Sequence, residues 1–303
     1  MKFDIEKAPL QSGKVAIVTG ANNGLGFETT RALAKKDIEV IMACRNLEKA
    51  EGAKSKILKN NRNAKLHILE LDLSEMQSVR QFAEKFINKF KRLDYLINNA
   101  GIMMPPFSLT KDGFESQFAT NYLGHFLLTK LLFPLIKNTP NARVISLSSL
   151  AHKWHEIQFD DINFKKSYNK QKAYSQSKLA CLMFGIEFDR RLKAANINAI
   201  SVSAHPGVSD TNLTNSMPKV FHFLATKVGS LLLQSAKDGA QPQLYAALGI
   251  DINGGEYTGP DGKGEIKGEA TKVKPRSLAK NKEVAERLWS KTEEMLGEEF
   301  EVE

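Results

Sequence analysis

Cysteine is scarce in this chain of 303 residues, which has only Cys44 and Cys181. Two cysteines cannot build a disulfide framework, and neither stands at a spacing typical of metal ligands. Such sparing use of thiols is typical of a reducing compartment, so the composition predicts a cytoplasmic protein. We expect no bound metal.

Long apolar runs are missing as well. No stretch of about eighteen apolar residues occurs, and residues 1–13 mix charged and apolar side chains without the apolar core of a signal peptide. The sequence therefore predicts no membrane span. The first predicted strand begins so early that we expect no N-terminal anchor either.

Basic residues outnumber acidic ones, with 43 Lys and Arg against 34 Asp and Glu and a net charge of +9. A positive charge of this size favours nucleic acid, a membrane surface or a phosphorylated ligand when it is clustered. Here the lysines are scattered, which is typical of a solubilising surface, and no nucleic-acid-binding motif accompanies them. We expect a small-molecule substrate and no nucleic acid.

Short apolar runs alternate along the chain with longer segments of helical spacing. Most of the runs are largely continuous, and several are rich in Val and Ile, as in strands buried on both faces. The alternation predicts a single α/β domain over residues 1–303, a Rossmann fold with a doubly wound parallel sheet of about seven strands. Residues 250–303 are expected to close the domain with a last strand and helix. The predicted strands are Val15–Thr19, Val40–Ala43, Leu66–Leu71, Tyr95–Asn98, Arg143–Ser148 and Ala199–Ala204, and the predicted helices are Phe27–Lys36, Glu48–Leu58, Glu75–Phe90, Phe114–Ile136 and Lys282–Met295.

The first predicted strand runs into a glycine-rich turn that opens a helix. Its spacing, TGxxxGxG from Thr19 to Gly26, allows a tight turn and a close approach of the backbone to a ligand. The free N–H groups at the start of the helix can then bind a pyrophosphate. Because the turn follows the first strand of a doubly wound pattern, it predicts a dinucleotide site. The cofactor-binding residues expected here are Gly20, Asn22, Asn23, Gly24, Leu25 and Gly26.

The end of the second predicted strand indicates which dinucleotide binds. An acidic residue there would accept hydrogen bonds from a ribose 2′-hydroxyl and repel a 2′-phosphate. The sequence has Arg45 instead, and Glu39 lies at the opposite end of the strand. A guanidinium pairs well with a phosphate dianion, although an ordinary surface arginine would look the same. We therefore expect NADP(H).

The TGxxxGxG spacing is typical of the short-chain dehydrogenase/reductase family, which the sequence resembles from this turn onward. The resemblance implies that Asp72 and the backbone N–H of Leu73 meet the adenine ring. As an alternative, Asp72 or Ser74 would cap the helix beginning near Glu75, and Ser74 could do so while Asp72 binds the cofactor. The resemblance also implies that an NNAG motif shapes the floor of the cofactor site and that a PGxxxT motif covers the nicotinamide. His205, just before the second motif, has no triad or metal partners in the sequence, so we expect it to be a structural residue. The residues concerned are Asn99, Ala100 and Gly101 in the first motif and Pro206, Gly207, Val208 and Thr211 in the second.

A YxxxK motif places Tyr174 and Lys178 one turn apart on the same face of a helix. A phenol is a poor base at neutral pH, and a neighbouring ammonium stabilises its phenolate form. In the family this pair serves the interconversion of an alcohol and a carbonyl. The resemblance therefore implies an NADP(H)-dependent oxidoreductase in which Tyr174 is the general acid and base, while Lys178 also holds the cofactor's ribose.

Two more polar residues complete the expected catalytic group. The fifth predicted strand ends in Ser148 and Ser149, whose side chains face opposite ways. The family register favours Ser149 as the residue that binds the substrate oxygen, with Ser148 as the alternative. Asn121 matches the family asparagine that holds a water beside Lys178, and a buried Asn in so apolar a helix needs a partner.

Within the family, the sequence is similar to the retinol dehydrogenase-like branch over most of residues 14–210. The likeness rests on the segments TGANNGLGFETT, ACRN, NNAGIM, NYLGHFLLT, SSLAH, AYSQSKLA and HPGV. It implies an apolar substrate, either retinoid-like or otherwise lipophilic. The alternative is an NADP(H)-binding sensor or scaffold without turnover, although such proteins usually lose the Tyr, Lys or Ser that this chain keeps.

Two apolar regions beside the expected site each fit two interpretations. Trp154, Phe159 and Phe164 would form one wall of an apolar pocket, or they would pack their own loop down. The helical stripe in residues 217–233 fits a substrate lid near residues 210–235 or ordinary core packing.

The sequence also leaves two interpretations of the quaternary structure. The segments Asn121–Ile136 and Tyr174–Leu192 are apolar enough for the interface of a homodimer or homotetramer, and helices buried against the sheet would look the same.

Overall fold

Eight strands form one sheet in a computed structural model of the chain, which describes residues 3–208 and 234–303. Their spatial order is β3-β2-β1-β4-β5-β6-β7-β8, and all neighbours pair in parallel except β7 and β8. The sheet thus has one strand more than the expected number of about seven. The strands are β1 (Val15–Thr19), β2 (Glu39–Cys44), β3 (Leu66–Glu70), β4 (Tyr95–Asn98), β5 (Ala142–Leu147), β6 (Ala199–Ala204), β7 (Tyr257–Pro260) and β8 (Ala270–Lys272).

Helices cover both faces of this sheet, as a parallel sheet of buried strands requires. One apolar layer contains side chains of α3, α5, α6 and α9, and the other contains those of α1, α2 and α8. The single α/β domain expected from the sequence is confirmed. The helices are α1 (Gly24–Lys35), α2 (Leu47–Asn60), α3 (Met76–Lys89), the short α4 (Ser116–Phe118), α5 (Gly124–Asn138), α6 (Lys170–Ala194), α7 (Ala236–Gly239), α8 (Gln241–Leu248) and α9 (Lys282–Leu296).

The strand order reverses between β1 and β4. The chain winds outward from β1 through β2 to β3 on one side and from β4 to β7 on the other. At such a switch point the loops after adjacent strands diverge and leave a crevice outside the carboxyl ends of the strands. The segments that follow β1, β4 and β5 carry most of the residues singled out in the sequence.

The C-terminal helix α9 packs across α5 and α6. The Trp289 ring centroid lies 4.9 Å from that of Phe126 on α5 and 5.8 Å from that of Phe184 on α6. Phe300, beyond α9, lies 5.4 Å from Phe133. Helix α9 and Phe300 of the same chain therefore cover apolar side chains of α5 and α6. These are the two segments for which the sequence left an oligomer interface open.

Among the described residues, no helix combines the length and the apolar character needed to cross a bilayer.

Candidate active site

The glycine-rich turn lies where β1 leads into α1. Gly20 and Gly24 adopt left-handed backbone angles, with φ of 66° and 50°, which glycine adopts at little cost. A side chain at Gly26 would collide with the carbonyl oxygen of Gly20. The N-cap residue of α1, Asn23, makes no side-chain cap bond, so the first N–H groups of the helix are not held by its own cap. This turn, which includes Asn22 and Leu25, therefore fits a dinucleotide pyrophosphate.

Thr19 ties this turn to the NNAG motif after β4. Its hydroxyl oxygen accepts hydrogen bonds from the backbone N–H groups of Asn99 and Ala100, each at 2.9 Å. The Asn99 side chain donates in turn to the carbonyl oxygen of Thr19 at 2.7 Å. The two segments on either side of the switch point are thus held in one fixed arrangement.

Arg45 follows β2 at the same edge of the sheet. Its side chain is 72% exposed, and its guanidinium lies 3.6 Å from the Asp72 carboxylate beyond β3. The other oxygen of that carboxylate accepts from the N–H and the hydroxyl of Ser74, at 2.9 and 2.6 Å. Leu73 follows Asp72 with its side chain buried.

Neither Asp72 nor Ser74 is the N-cap of α3, so the alternative that one of them caps this helix is wrong. The N-cap of α3 is Glu75, which makes no side-chain cap bond. Asp112, from a distant loop, accepts from the N–H of Met76 at 3.0 Å. A local sequence pattern could not reveal a cap supplied from 36 residues away.

Tyr174 and Lys178 lie on α6 with little exposure to solvent. The Lys178 ammonium donates to the carbonyl oxygen of Leu147, the last residue of β5, at 3.0 Å. A Cβ atom added to Gly101 would lie 3.3 Å from the Lys178 Nζ atom. The lysine therefore reaches from α6 to the ends of both β4 and β5.

The two serines after β5 have different surroundings. The buried Ser148 hydroxyl donates to the carbonyl oxygen of Lys178 at 2.8 Å. Ser149 is half-buried, and its hydroxyl accepts from the N–H of Ala151 at 3.2 Å. Ser175, next to Tyr174, donates to the carbonyl oxygen of Ala151 at 2.7 Å. The segment after Ser149 is therefore docked on α6 next to Tyr174.

Asn121 lies in a π turn, Ala119–Leu123, which interrupts the helix predicted over residues 114–136. Its side chain accepts from the N–H of Ile102 at 2.8 Å and donates to the Ile102 carbonyl at 3.0 Å. It also donates to the hydroxyl of Ser177, which precedes Lys178, at 2.9 Å. The partners that a buried Asn needs are thus the loop after β4 and helix α6. Single π turns occur frequently at functional sites.

His205, the first residue after β6, has a partner that the sequence did not reveal. Its Nε2 atom lies 3.0 Å from a carboxylate oxygen of Glu265, and the same carboxylate lies 3.1 Å from the Lys153 ammonium. Burial lowers the pKa of His205, while the imidazole and ammonium partners lower the pKa of Glu265 to about 2. Glu265 thus connects the segment after Ser149 with the one containing Pro206 and Gly207. Sixty residues separate His205 from Glu265, so no local pattern links them.

The three aromatic residues of the loop before α6 divide between the two interpretations. Phe164 is buried, and the Arg287 guanidinium lies 4.1 Å from the centroid of the Phe159 ring. These two pack their loop against the domain. Trp154 is 55% exposed, so it is the one available to a ligand.

Part of the expected site lies outside the described residues. Val208 is described, and its N–H donates to the carbonyl oxygen of Ile266 at 2.7 Å. Thr211, the helical stripe of residues 217–233 and most of the lid expected near residues 210–235 fall in the part that is not described.

Known proteins resemble this chain over nearly its whole length. A family model described as short chain dehydrogenase matches residues 14–220. Retinol dehydrogenase 12 of Mus musculus is 41% identical over 291 residues, which cover 95% of this chain and 88% of that protein. Retinol dehydrogenase 13 of Homo sapiens is 40% identical over 295 residues, with coverage of 94% and 85%. A crystal structure from Mycobacterium Paratuberculosis, described as that of an uncharacterized protein, has a TM-score of 0.82 and 38% identity and covers 99% of both chains.

A doubly wound sheet with a glycine-rich turn at its switch point defines a dinucleotide-binding α/β protein. The chain belongs to the short chain dehydrogenase family and is retinol dehydrogenase-like within it. It is accordingly an oxidoreductase that acts between alcohols and carbonyls. The family resemblance drawn from the sequence motifs is confirmed.

Proposed function

We propose that this protein is an NADP(H)-dependent oxidoreductase that interconverts a lipophilic alcohol and its aldehyde or ketone, with Tyr174 as general acid and base. The observation that carries the proposal is the meeting of the candidate catalytic residues at one edge of the sheet. Lys178 contacts the end of β5, Asn121 contacts the residue before Lys178, and Ser175 fixes the segment after Ser149 beside Tyr174.

Each residue of this group has a role that its position supports. The hydroxyl groups of Ser149 and Tyr174 donate hydrogen bonds to the carbonyl oxygen of the substrate, which stabilises the negative charge that develops there. Tyr174 then gives its proton to that oxygen, and in the reverse direction it takes the proton from the alcohol. The Lys178 ammonium, next to Tyr174 on the same face of α6, would hold the cofactor's ribose. Asn121 fixes the loop after β4 against α6 and so keeps Lys178 in place.

A nicotinamide dinucleotide would supply the hydride when bound. The turn at Gly20–Gly26 and the start of α1 would hold its pyrophosphate, while Asp72 and Leu73 would meet its adenine. Arg45 would pair with a 2′-phosphate, and its high exposure leaves the guanidinium available to do so. The floor under the nicotinamide would consist of Asn99, Ala100 and Gly101, and Pro206, Gly207, Val208 and Thr211 would cover it.

The rim of the site supports an apolar substrate. Three large apolar side chains are exposed on segments that the Glu265 contacts hold together, with exposures of 55% for Trp154, 38% for Val208 and 41% for Ile266. Isolated exposed apolar residues are ordinary, but a group at the mouth of a site is typical of binding. The relatives named retinol dehydrogenase point the same way. We therefore propose a retinoid-like or otherwise lipophilic substrate.

Two further expectations stay predictions. The first is a cytoplasmic location, which the sparing use of cysteine favours.

The second is a homodimer or homotetramer. An interface formed through α5 and α6 would have to accommodate α9, which packs across both helices.

The test is a substrate screen that follows NADPH and NADH oxidation with retinal, small aldehydes, ketones and quinones. We expect NADPH-dependent reduction, fastest with the long apolar aldehyde. Trp154→Ala should raise KM for that aldehyde by about tenfold, because burying part of an aromatic ring contributes about 1–2 kcal/mol, and should leave KM for a small aldehyde within about twofold. Leu10→Ala, at an exposed apolar residue that precedes β1, is the control.

The screen also separates the proposal from its alternative. Tight NADPH binding without turnover of any compound would show that the protein is a sensor or scaffold. Faster reaction with NADH than with NADPH would overturn the role assigned to Arg45.

A further inference from the structure

His125 is buried between the glycine-rich turn and the π turn, and it is not one of the catalytic residues proposed above. This histidine is the second residue of α5 and is only 4% exposed. Its Nδ1 atom lies 2.8 Å from the carbonyl oxygen of Asn121, and its Nε2 atom lies 2.9 Å from the Thr19 hydroxyl oxygen. One imidazole therefore spans the distance between the end of β1 and the π turn.

These contacts fix the tautomer of the ring. A carbonyl oxygen can only accept, so Nδ1 carries the hydrogen that is bonded to Asn121. Burial lowers the pKa of His125 to about 4, and the Lys178 ammonium adds to that effect. The ring is thus neutral at neutral pH, which makes Nε2 an acceptor.

An accepting Nε2 atom in turn orients the Thr19 hydroxyl. The hydroxyl hydrogen of Thr19 points to the Nε2 atom of His125, which lies 2.9 Å from the hydroxyl oxygen. The carbonyl oxygen of Ile97 is farther from that oxygen, at 3.3 Å. The lone pairs of the Thr19 oxygen are then free to accept the N–H groups of Asn99 and Ala100, as observed. The imidazole thereby sets the geometry of the NNAG backbone beside the glycine-rich turn.

We propose that His125 is a positioning residue that links the cofactor floor to the catalytic group, an inference that rests on the function proposed above. Through Nε2 it holds Thr19, and with it Asn99 and Ala100. Through Nδ1 it holds the π turn from which Asn121 contacts the segment before Lys178. The two ring nitrogens thus serve two parts of the site, and each can be removed separately.

Two substitutions separate the contacts. His125→Asn keeps a donor where Nδ1 lies but is too short to reach Thr19. His125→Gln keeps a polar group near the position of Nε2 and removes the bond to Asn121. Losing one neutral hydrogen bond costs about 0.5–1.5 kcal/mol, or a change of about two- to tenfold. H125N should raise the Kd for NADPH by about fivefold with little change in kcat, whereas H125Q should lower kcat by about fivefold with little change in Kd.

The measurements are NADPH binding by fluorescence, single-turnover reduction of an accepted aldehyde and the melting temperature, for both variants and for H125F. H125F replaces the imidazole with a somewhat larger apolar aromatic ring, loses both bonds and should show both defects. If all three variants melt lower but keep Kd and kcat within about twofold, His125 has a packing role only and the proposal fails. The reverse pattern, with kcat changed in H125N and Kd in H125Q, would overturn the assignment of the two nitrogens.

Two readouts keep the test independent of folding defects and of turnover. Nitrogen NMR of the wild-type ring should show a hydrogen on Nδ1 and none on Nε2 at neutral pH, and the opposite tautomer would contradict the proposal. Thr19→Val, which removes the hydroxyl, should raise the Kd for NADPH as H125N does, while Thr19→Ser should keep it. Because NMR and NADPH binding need no substrate, a lack of turnover would count against the proposed function and leave these two arms valid.

Discussion

Mild acid should destabilise this protein through its buried histidines. Burial lowers the pKa of both His125 and His152 from 6.5 to about 4. The unfolded chain therefore takes up protons near pH 6.5, whereas the folded chain keeps these rings neutral until about pH 4. The stability that these neutral rings contribute is fully present above pH 6.5, the pKa of histidine in the unfolded chain, and is lost as the pH falls from 6.5 to about 4.

The expected loss is large enough to measure. Between about pH 7.5 and about pH 5, each of these histidines costs about 2 kcal/mol of stability, and the two together cost about 4 kcal/mol. A whole domain is typically stable by only about 5–15 kcal/mol. Carboxylates such as Glu265 contribute little here, about 0.2 kcal/mol each, because their unfolded pKa lies below pH 5.

The assay is urea unfolding at both pH values, followed by the fluorescence of the buried Trp289. The double variant H125Q/H152Q should lose about 4 kcal/mol less than the wild type over the same interval, and the loss that remains includes the contribution of His205, whose pKa is also lowered by burial. His155→Gln, at a half-buried histidine near the surface, is the control and should keep the wild-type dependence. A double variant that loses as much stability as the wild type would show that His125 and His152 do not cause the sensitivity to acid.

Three other predictions follow from single contacts. Trp289→Ala should lower the free energy of unfolding by about 3–5 kcal/mol, because the ring is buried against α5 and α6, and urea unfolding would show it; the exposed Trp154→Ala should cost much less. Arg45→Gln should raise KM for NADPH by about ten- to a hundredfold, since a charge-assisted hydrogen bond contributes about 1.5–3 kcal/mol; KM for NADH should hardly change in steady-state kinetics, and the exposed Arg62→Gln is the control. Glu265→Gln should cost about 1 kcal/mol at neutral pH, because the partly screened ion pair with Lys153 and the charge-assisted contact with His205 are lost, and in denaturation curves the difference from wild type should vanish as the pH falls from 4.5 to about 2.

Much of the sheet could be predicted because its strands are buried on both faces. Their continuous apolar runs end sharply, and the predicted bounds of β1, β4 and β6 agree with the structure. The antiparallel pair of β7 and β8 was not delimited, because glycine-rich sequence flanks both short strands. The amphipathic pattern predicted α9 as a helix, but not that it would pack on α5 and α6.

The site was predictable only where a motif is local. The turn at Gly20–Gly26 and the YxxxK pair lie within one turn or one helix, so their spacing alone brings the side chains together. The π turn at Asn121 is a shift in hydrogen bonding that leaves no mark in an apolar sequence. The contacts of His125 with Thr19 and of His205 with Glu265 join residues far apart in the chain, and only the folded structure brings them together.

The central claim is that Tyr174 transfers the proton between substrate and protein. Its most direct test compares the wild type, Tyr174→Phe and Tyr245→Phe for NADPH affinity and for kcat with one accepted aldehyde; Tyr245 bonds to Asp251 and takes no part in the site. We expect Y174F to lower kcat by about 10²–10⁴-fold and to change the Kd for NADPH by less than about fivefold, while Y245F behaves as wild type. A Y174F enzyme that retains more than about a tenth of the wild-type kcat would show that Tyr174 is not the proton donor.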